Sequence, residues 1–443
     1  MTAVVRHSTQ VSLPNNPDRA VSATAWNAVH SVTLATAPRR IRIAAIGDSR
    51  LDRYTSSTTP NSPRSDDILA WTQFFCRGAI EFGKVEGLNF AVSGARIAEV
   101  VASQLDDAIA TDAECVFLYV STNSTTDYVS ASNIMADIDT IVAAVRASGK
   151  LLVIFSENPR TGYSDEPRRQ QHRTMAEYFR RQRSLSGVIV IDPWTFMVDP
   201  TSTESLPLTG VTQDGLHQST YTAMKLGKLA AAELMKFLPP ANLLASSRAD
   251  LFDASAEPYG SLTANANLDG TTGTEGSGVT GDTADGWTIT TADADMTAVV
   301  SKTTDANGIP VQRIVVSGTP VTASLPYIRL SKAIGDIAWL SAGDQIELAA
   351  GLKIASGHTG LVSPSVVIVP AGSTADRQWS HYVADTYISQ IGGEEMDGVC
   401  VTQKYTVPSP VPASMSFYLY LLFKKDEAAS ATVDVYSITP RKV

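Results

Sequence analysis

Between residues 40 and 238, short apolar runs of strand length alternate with stretches whose apolar residues recur at helical spacing. This alternation constrains the fold more than any other feature of the chain. The runs IRIAAIG (41–47), LNFAV (88–92), CVFLYV (115–120), LLVIFS (151–156) and GVIVID (187–192) are rich in β-branched and aromatic residues. Continuous apolarity of that kind belongs to strands covered on both faces. The segment 67–83 sets Ile68, Trp71, Phe75 and Ile80 near one helical face, and 95–109 and 133–149 behave likewise. A last helix is predicted over 220–238, with Ser219 as its N-cap and Pro239-Pro240 as its stop. Strands alternating with helices predict a parallel sheet with right-handed crossovers. In such sheets the site lies beyond the carboxyl ends of the strands.

The flanks differ in texture. With 443 residues, two or three domains are expected. Residues 1–39 are polar, contain Pro14, Pro17 and Pro38, and read as an N-terminal extension. Residues 40–239 form the α/β domain. Residues 240–443 are rich in Thr, Ser, Gly, Val and Ala, and turn signals separate runs at 311–318, 344–355, 364–370 and 415–423. That pattern predicts an all-β, jelly-roll-like sandwich, with 269–286 as a loop or flexible entry to it. The net charge of −10 speaks against a nucleic-acid partner and against anionic membranes. No run approaches the roughly 18 apolar residues of a membrane span, and MTAVVRHSTQ lacks the apolar stretch of a signal peptide. A chain made as a soluble protein is expected. Cys76, Cys115 and Cys400 make neither a disulfide framework nor a CxxC pair. The six histidines show no ligand spacing, so no metal or cofactor is expected.

Four pieces carry chemistry. The first strand ends abruptly in Gly47-Asp48-Ser49. A serine nucleophile needs a base, and the base needs a carboxylate to fix its tautomer. Asp214 and His217, in a loop before the last helix, can supply both from one turn. A tetrahedral oxyanion needs preorganised donors. The Gly94 N–H after the second run and the Asn123 amide after the third are candidates. Taken singly, each piece is also an ordinary turn signal. Jointly they fall at one edge of the predicted sheet. No serine sits in G-x-S-x-G, so the nucleophile elbow of the α/β-hydrolases is absent.

On Gly47-Asp48-Ser49, Gly94 in "SGA", Asn123 in "STNS" and Asp214-x-x-His217, the chain resembles the SGNH (GDSL-type) esterases and lipases over roughly residues 40–238. The resemblance implies a three-layer α/β/α fold with a flavodoxin-like sheet. It implies Ser49 as nucleophile, His217 as base and Asp214 as its orienter. The oxyanion hole would be the Ser49 and Gly94 N–H groups with the Asn123 amide. Arg50 stands where the family usually has an apolar residue, and Ser124 where it often has Asp.

Asp48, Arg50 and Trp194 are candidate substrate contacts, with Arg53 and Phe196 beside them. Trp287, Trp339, Trp379 and Tyr382 are candidate glycan-stacking residues of the sandwich. ATAWNAVH (23–30) is similar to a segment near the start of some phage tail and virion proteins, which makes 1–39 a candidate attachment segment. The C-terminal region resembles β-sandwich modules of phage and bacterial carbohydrate esterases. The expected function is a serine esterase that removes O-acetyl groups from a bacterial surface polysaccharide. The expected location is a virion or the extracellular space, otherwise the cytoplasm. A homo-oligomer is expected, a trimer if virion-associated. The alternatives are a general short-chain carboxylesterase or arylesterase acting on small esters, and a non-catalytic glycan-binding virion protein.

Overall fold

Apolar side chains that alternate along the central strands leave two faces to cover, and helices cover both. The computed structural model describes residues 40–443 except 55–61, 164, 239–240, 242, 336, 372–375 and 384–388. The expectation for residues 1–39 therefore lies outside the described residues. Strands β1 (Ile41–Gly47), β2 (Ile80–Glu81), β3 (Cys115–Tyr119), β4 (Leu151–Phe155) and β5 (Val188–Ile191) form a parallel sheet of order β2-β1-β3-β4-β5. The helices are α1 (Ile68–Phe75), α2 (Ile97–Ser103), α3 (Leu105–Ala110), α4 (Thr122–Thr126), α5 (Ala131–Ala147), α6 (Glu166–Arg181), α7 (Trp194–Met197) and α8 (Thr220–Leu234). Ile43, Phe117 and Phe155 face α1 and α8. Ala44, Ile46, Val116, Leu118 and Ile154 face α2, α3, α5 and α6. The result is the α/β/α layering that the alternation predicts.

Three sequence expectations are corrected. The run 88–92 is not a regular strand. It follows β1 through Ala45 N→Leu88 O and Val92 N→Gly47 O hydrogen bonds, with one bridge at Ala45 and Asn89, while the edge strand is β2. The helix predicted over 67–83 ends at Phe75, because Arg77 (φ 53°) and Gly78 (φ 77°) turn left-handed and reverse the chain into β2. The helix predicted over 95–109 breaks at Gln104, whose side chain reaches back to accept from Gly47 N (2.7 Å) and donate to Gly47 O (3.1 Å). Ser219 caps α8 as expected, accepting from Thr222 N.

The second half holds β6 (Thr274–Glu275), β7 (Val279–Gly281), β8 (Thr288–Thr291), β9 (Met296–Thr304), β10 (Pro310–Gly318), β11 (Tyr327–Ile334), β12 (Gln345–Ile354), β13 (Leu361–Pro370), β14 (Gln378–Trp379), β15 (Met396–Val401), β16 (Tyr405–Thr406), β17 (Met415–Phe423) and β18 (Ala429–Lys442). They form a seven-stranded sheet, β15-β12-β18-β10-β9-β7 with β16 beside β12, and a six-stranded sheet, β14-β13-β17-β11-β8-β6. Most pairs are antiparallel; β6 with β8 and β7 with β9 are parallel, so two short strands lie within the predicted loop 269–286. Ile314 and Val316 of one sheet share a core with Ile328, Leu330 and Leu419 of the other. That same core continues into the α/β half through Trp71 and Phe74 of α1 and Met396 and Cys400 of β15. Trp287 lies wholly inside it, which removes it as a glycan contact. Arg40–Glu347 (2.7 Å), Arg77–Asp397 (2.9 Å) and Lys225–Glu394 (2.9 Å) pair the two halves. Among the described residues no helix is long and apolar enough to cross a membrane.

Candidate active site

Strand β1 stops at Gly47 because the chain must turn where it touches β3. A Cβ at Gly47 would lie 2.1 Å from the Tyr119 carbonyl oxygen, so no other residue fits. Asp48 then closes the turn: its carbonyl accepts from Leu51 N and its carboxylate from Arg50 N (3.0 Å). Ser49 projects half-exposed from this turn. Its Oγ lies 2.8 Å from His217 Nε2.

The histidine is held from both ends. Asp214 Oδ2 lies 2.6 Å from His217 Nδ1, and its Oδ1 accepts from the backbone N–H of Leu216 (3.0 Å) and His217 (2.8 Å). Burial would raise the Asp214 pKa, but the hydrogen bonds from His217 and the loop backbone outweigh it and hold the carboxyl down to about 2. Asp214 is then an acceptor only, so the Nδ1 must carry the ring proton. The Nε2 lone pair is left to accept from Ser49 Oγ–H. Burial, and then the positive charge of Arg53, push the His217 pKa below its ordinary value against the pull of Asp214. The imidazole is therefore neutral and basic around neutrality.

The sequence-predicted hole residues join this turn through the backbone. Ser93 N donates to Asp52 Oδ2 (3.2 Å), three residues beyond Ser49, and Gly94 follows with φ +85°, a conformation that favours glycine. Asn123 Nδ2 donates to Ala95 O (3.0 Å), which orients the amide beside Gly94 and leaves its second hydrogen available. Among the described residues neither the Ser49 N–H nor the Gly94 N–H has a protein acceptor.

Asp48 and Arg50 are not substrate contacts, which corrects the sequence expectation. Both are fully buried. Arg50 Nη2 pairs with Asp48 Oδ2 (2.8 Å) and Nη1 with Glu157 Oε2 (3.1 Å), and the guanidinium stacks 4.0 Å above the Tyr119 ring. Burial would raise the Glu157 pKa, but Arg50 and His172 outweigh it and hold it down to about 2. Arg50 also reaches the loop that carries His217. Its Nη1 donates to Asn158 Oδ1 (2.9 Å), and Asn158 Nδ2 donates to Leu216 O (2.7 Å). Gln218 Nε2 donates to Arg50 O (2.8 Å). The residues on either side of His217 are thus tied to the residue after Ser49. Trp194 is not brought to Ser49: its half-buried ring packs on His172 (5.8 Å) and Arg180 (5.3 Å). Arg53 is nine-tenths buried, 3.4 Å from Asp66, and its Nε and Nη2 have no hydrogen-bond partner among the described residues. Sequence reasoning missed Glu157, Asn158, Gln104 and Gln218. Glu157 and Asn158 directly follow the apolar run of β4, at the same edge as Ser49, and that placement was the available signal. Among the described residues no three His, Cys, Asp or Glu side chains cluster to hold a metal ion.

No curated protein matches the chain. Similar solved structures include a GDSL-like lipase from Bacteroides thetaiotaomicron VPI-5482, at 12% identity over 44% of this chain and 87% of the other, with a TM-score of 0.33. A catalytic mutant of an acetylxylan esterase from Geobacillus stearothermophilus gives 16% identity, coverage of 45% and 94%, and a TM-score of 0.33. A carbohydrate esterase family 3 structure from Talaromyces cellulolyticus gives 13% identity, coverage of 44% and 97%, and a TM-score of 0.33. The model of the GDSL-like Lipase/Acylhydrolase family matches residues 45–220, a span that takes in the Ser49 turn, Gly94, Asn123 and the Asp214–His217 loop. The likeness to the GDSL-like lipase/acylhydrolase family therefore covers the α/β half of the chain, residues 45–220.

Proposed function

We propose that the protein is a serine esterase that removes O-acetyl groups from a bacterial surface polysaccharide, delivered on a virion or secreted. The observation that carries the esterase chemistry is the unbroken relay from Ser49 Oγ to His217 Nε2 (2.8 Å) and from His217 Nδ1 to Asp214 Oδ2 (2.6 Å). Ser49 Oγ attacks the ester carbonyl while His217 takes its proton. Asp214 stabilises the imidazolium that forms. The oxyanion is met by the Ser49 and Gly94 N–H groups and the free hydrogen of Asn123 Nδ2. His217 returns the proton to the leaving sugar hydroxyl. It then activates the water that hydrolyses the acyl-enzyme. The polymer substrate and the virion or secreted setting rest on the sequence resemblances at 23–30 and in the C-terminal half.

The test is acetate release from a panel of O-acetylated bacterial polysaccharides and from an aryl acetate, for wild type and Ser49→Ala. Release from a polymer by wild type alone is expected, with the variant slower by about a thousandfold or more. Equal rates for the two proteins, or no release from any ester, would remove the proposal. Hydrolysis of the aryl acetate with every polymer untouched would favour a small-ester enzyme instead.

A further inference from the structure

The outer face of the six-stranded sheet breaks the rule that sets polar residues toward water. Along β17, Phe417, Leu419 and Leu421 face the core, and the alternate positions that face outward are Tyr418 and Tyr420. In register beside them stand Arg329 and Val367, and Trp379 lies opposite Val367 on β14. Tyr420 is buried at the centre of an aromatic group. Trp379 stacks on it at 5.5 Å and 21°, and Tyr327 and Tyr418 meet it edge-on at 4.9 Å and 5.7 Å. Tyr327, Tyr418, Trp379 and Arg329 remain half-exposed. The Arg329 guanidinium lies 4.9 Å from the Tyr418 ring centre. One transverse row runs Trp379, Val367, Tyr418, Ser331, Thr288. Five adjacent strands make that row roughly 19 Å long.

We propose that this face binds a polysaccharide strand of low charge, with Tyr418 and Trp379 as stacking surfaces, Arg329 and the Thr288 hydroxyl as donors along it, and the Ser331 hydroxyl, which donates to Thr288 O (3.3 Å), as an acceptor. Aromatic rings with polar tips suit a ligand that alternates C–H faces with hydroxyls. A purely apolar partner would leave the guanidinium and hydroxyls desolvated. The chain's net charge of −10 disfavours a strongly acidic polymer. The face also adjoins residues 62–65, just before α1. Trp379 N donates to Ser62 Oγ (3.2 Å), Tyr382 N to Pro63 O (2.8 Å) and Ser65 N to Tyr382 O (2.7 Å). Residues 62–65, which lead into α1, are therefore pinned along the edge of the aromatic group. The choice of a polymer ligand rests on the deacetylase reading above.

The experiment uses the full chain as Ser49→Ala, so that binding is read without turnover. Its retardation in gels containing acetylxylan or acetylated glucomannan is measured with and without high salt, and acetylated alginate serves as the acidic comparison. Retardation by a neutral polymer that persists in salt is expected. Adding Trp379→Ala or Tyr418→Leu should weaken it about tenfold. Tyr418→Leu keeps apolar packing and guards against a Trp379→Ala protein that does not fold, which melting curves will reveal. The proposal is overturned if the folded variants bind as well as their parent, if neither neutral polymer is retained, or if retention disappears in salt. Failure of the esterase reading is separately visible, as wild type inactive on every ester while Ser49→Ala still binds.

Discussion

Arg50 illustrates how a buried charge can hold the turn at Ser49 in shape. A cation with no solvent exposure is tolerable only when paired and hydrogen-bonded, and Asp48, Glu157 and the Tyr119 ring supply that. Arg50→Leu places an apolar side chain there but leaves two buried carboxylates without their counter-ion. It should destabilise the protein by about 3–5 kcal/mol, read from urea unfolding. A variant as stable as wild type would mean that the network contributes nothing. Arg53 acts on the same site through its charge. Its proximity favours neutral His217, so the acid limb of kcat/KM should lie below the ordinary histidine range. Removing a positive charge makes the imidazolium easier to form. Arg53→Gln should therefore move the acid limb to higher pH, while Arg53→Lys should leave it near the wild-type position. A limb that stays put in Arg53→Gln would show that Arg53 does not poise the base.

At the scale of elements, the site is the meeting of two loops. One follows β1, and the other carries Asp214 and His217. Asn158, just after β4, joins them by accepting from Arg50 and donating to Leu216 O. Asn158→Ala removes both links without touching the relay itself. We expect kcat to fall about tenfold with little change in KM, because loop placement affects the transition state more than ground-state binding. A rise in KM alone would place Asn158 in substrate binding instead. The sequence announced the strands buried on both faces, since β1, β3, β4 and β5 are continuous apolar runs. The placement of Ser49 at a strand end, and of Asp214 and His217 in one turn before the last helix, was legible too. The edge strand was hidden, since its pairing covers only Ile80 and Glu81. The Arg50 network was hidden for a different reason. A polar residue after a serine reads as a solvated loop, and its partner Glu157 is 107 positions away. The helix break at Gln104 was equally silent, because its cause is a side-chain contact with Gly47 made only in the folded chain.

At the scale of the whole molecule, the sandwich is a structural continuation of the α/β domain. Phe74 of α1 lies against Gly398 of β15, where an added Cβ would come within 2.5 Å of the Phe74 carbonyl oxygen and 2.6 Å of its ring. His381 packs its ring 4.6 Å from Trp71. Removing the second half would expose the outer side of α1, where seven of eight residues are buried. Such exposure of contiguous apolar surface promotes aggregation. Two domains that share one core should unfold together. Calorimetry should show a single endotherm, and Phe74→Ala should move that whole endotherm down, with a loss of about 3–5 kcal/mol. A tethered arrangement predicts the opposite: two resolved endotherms, of which Phe74→Ala lowers only the one belonging to the α/β half. The distinction matters for the proposed polymer binding, since only a rigid junction keeps the aromatic face and Ser49 at a fixed separation.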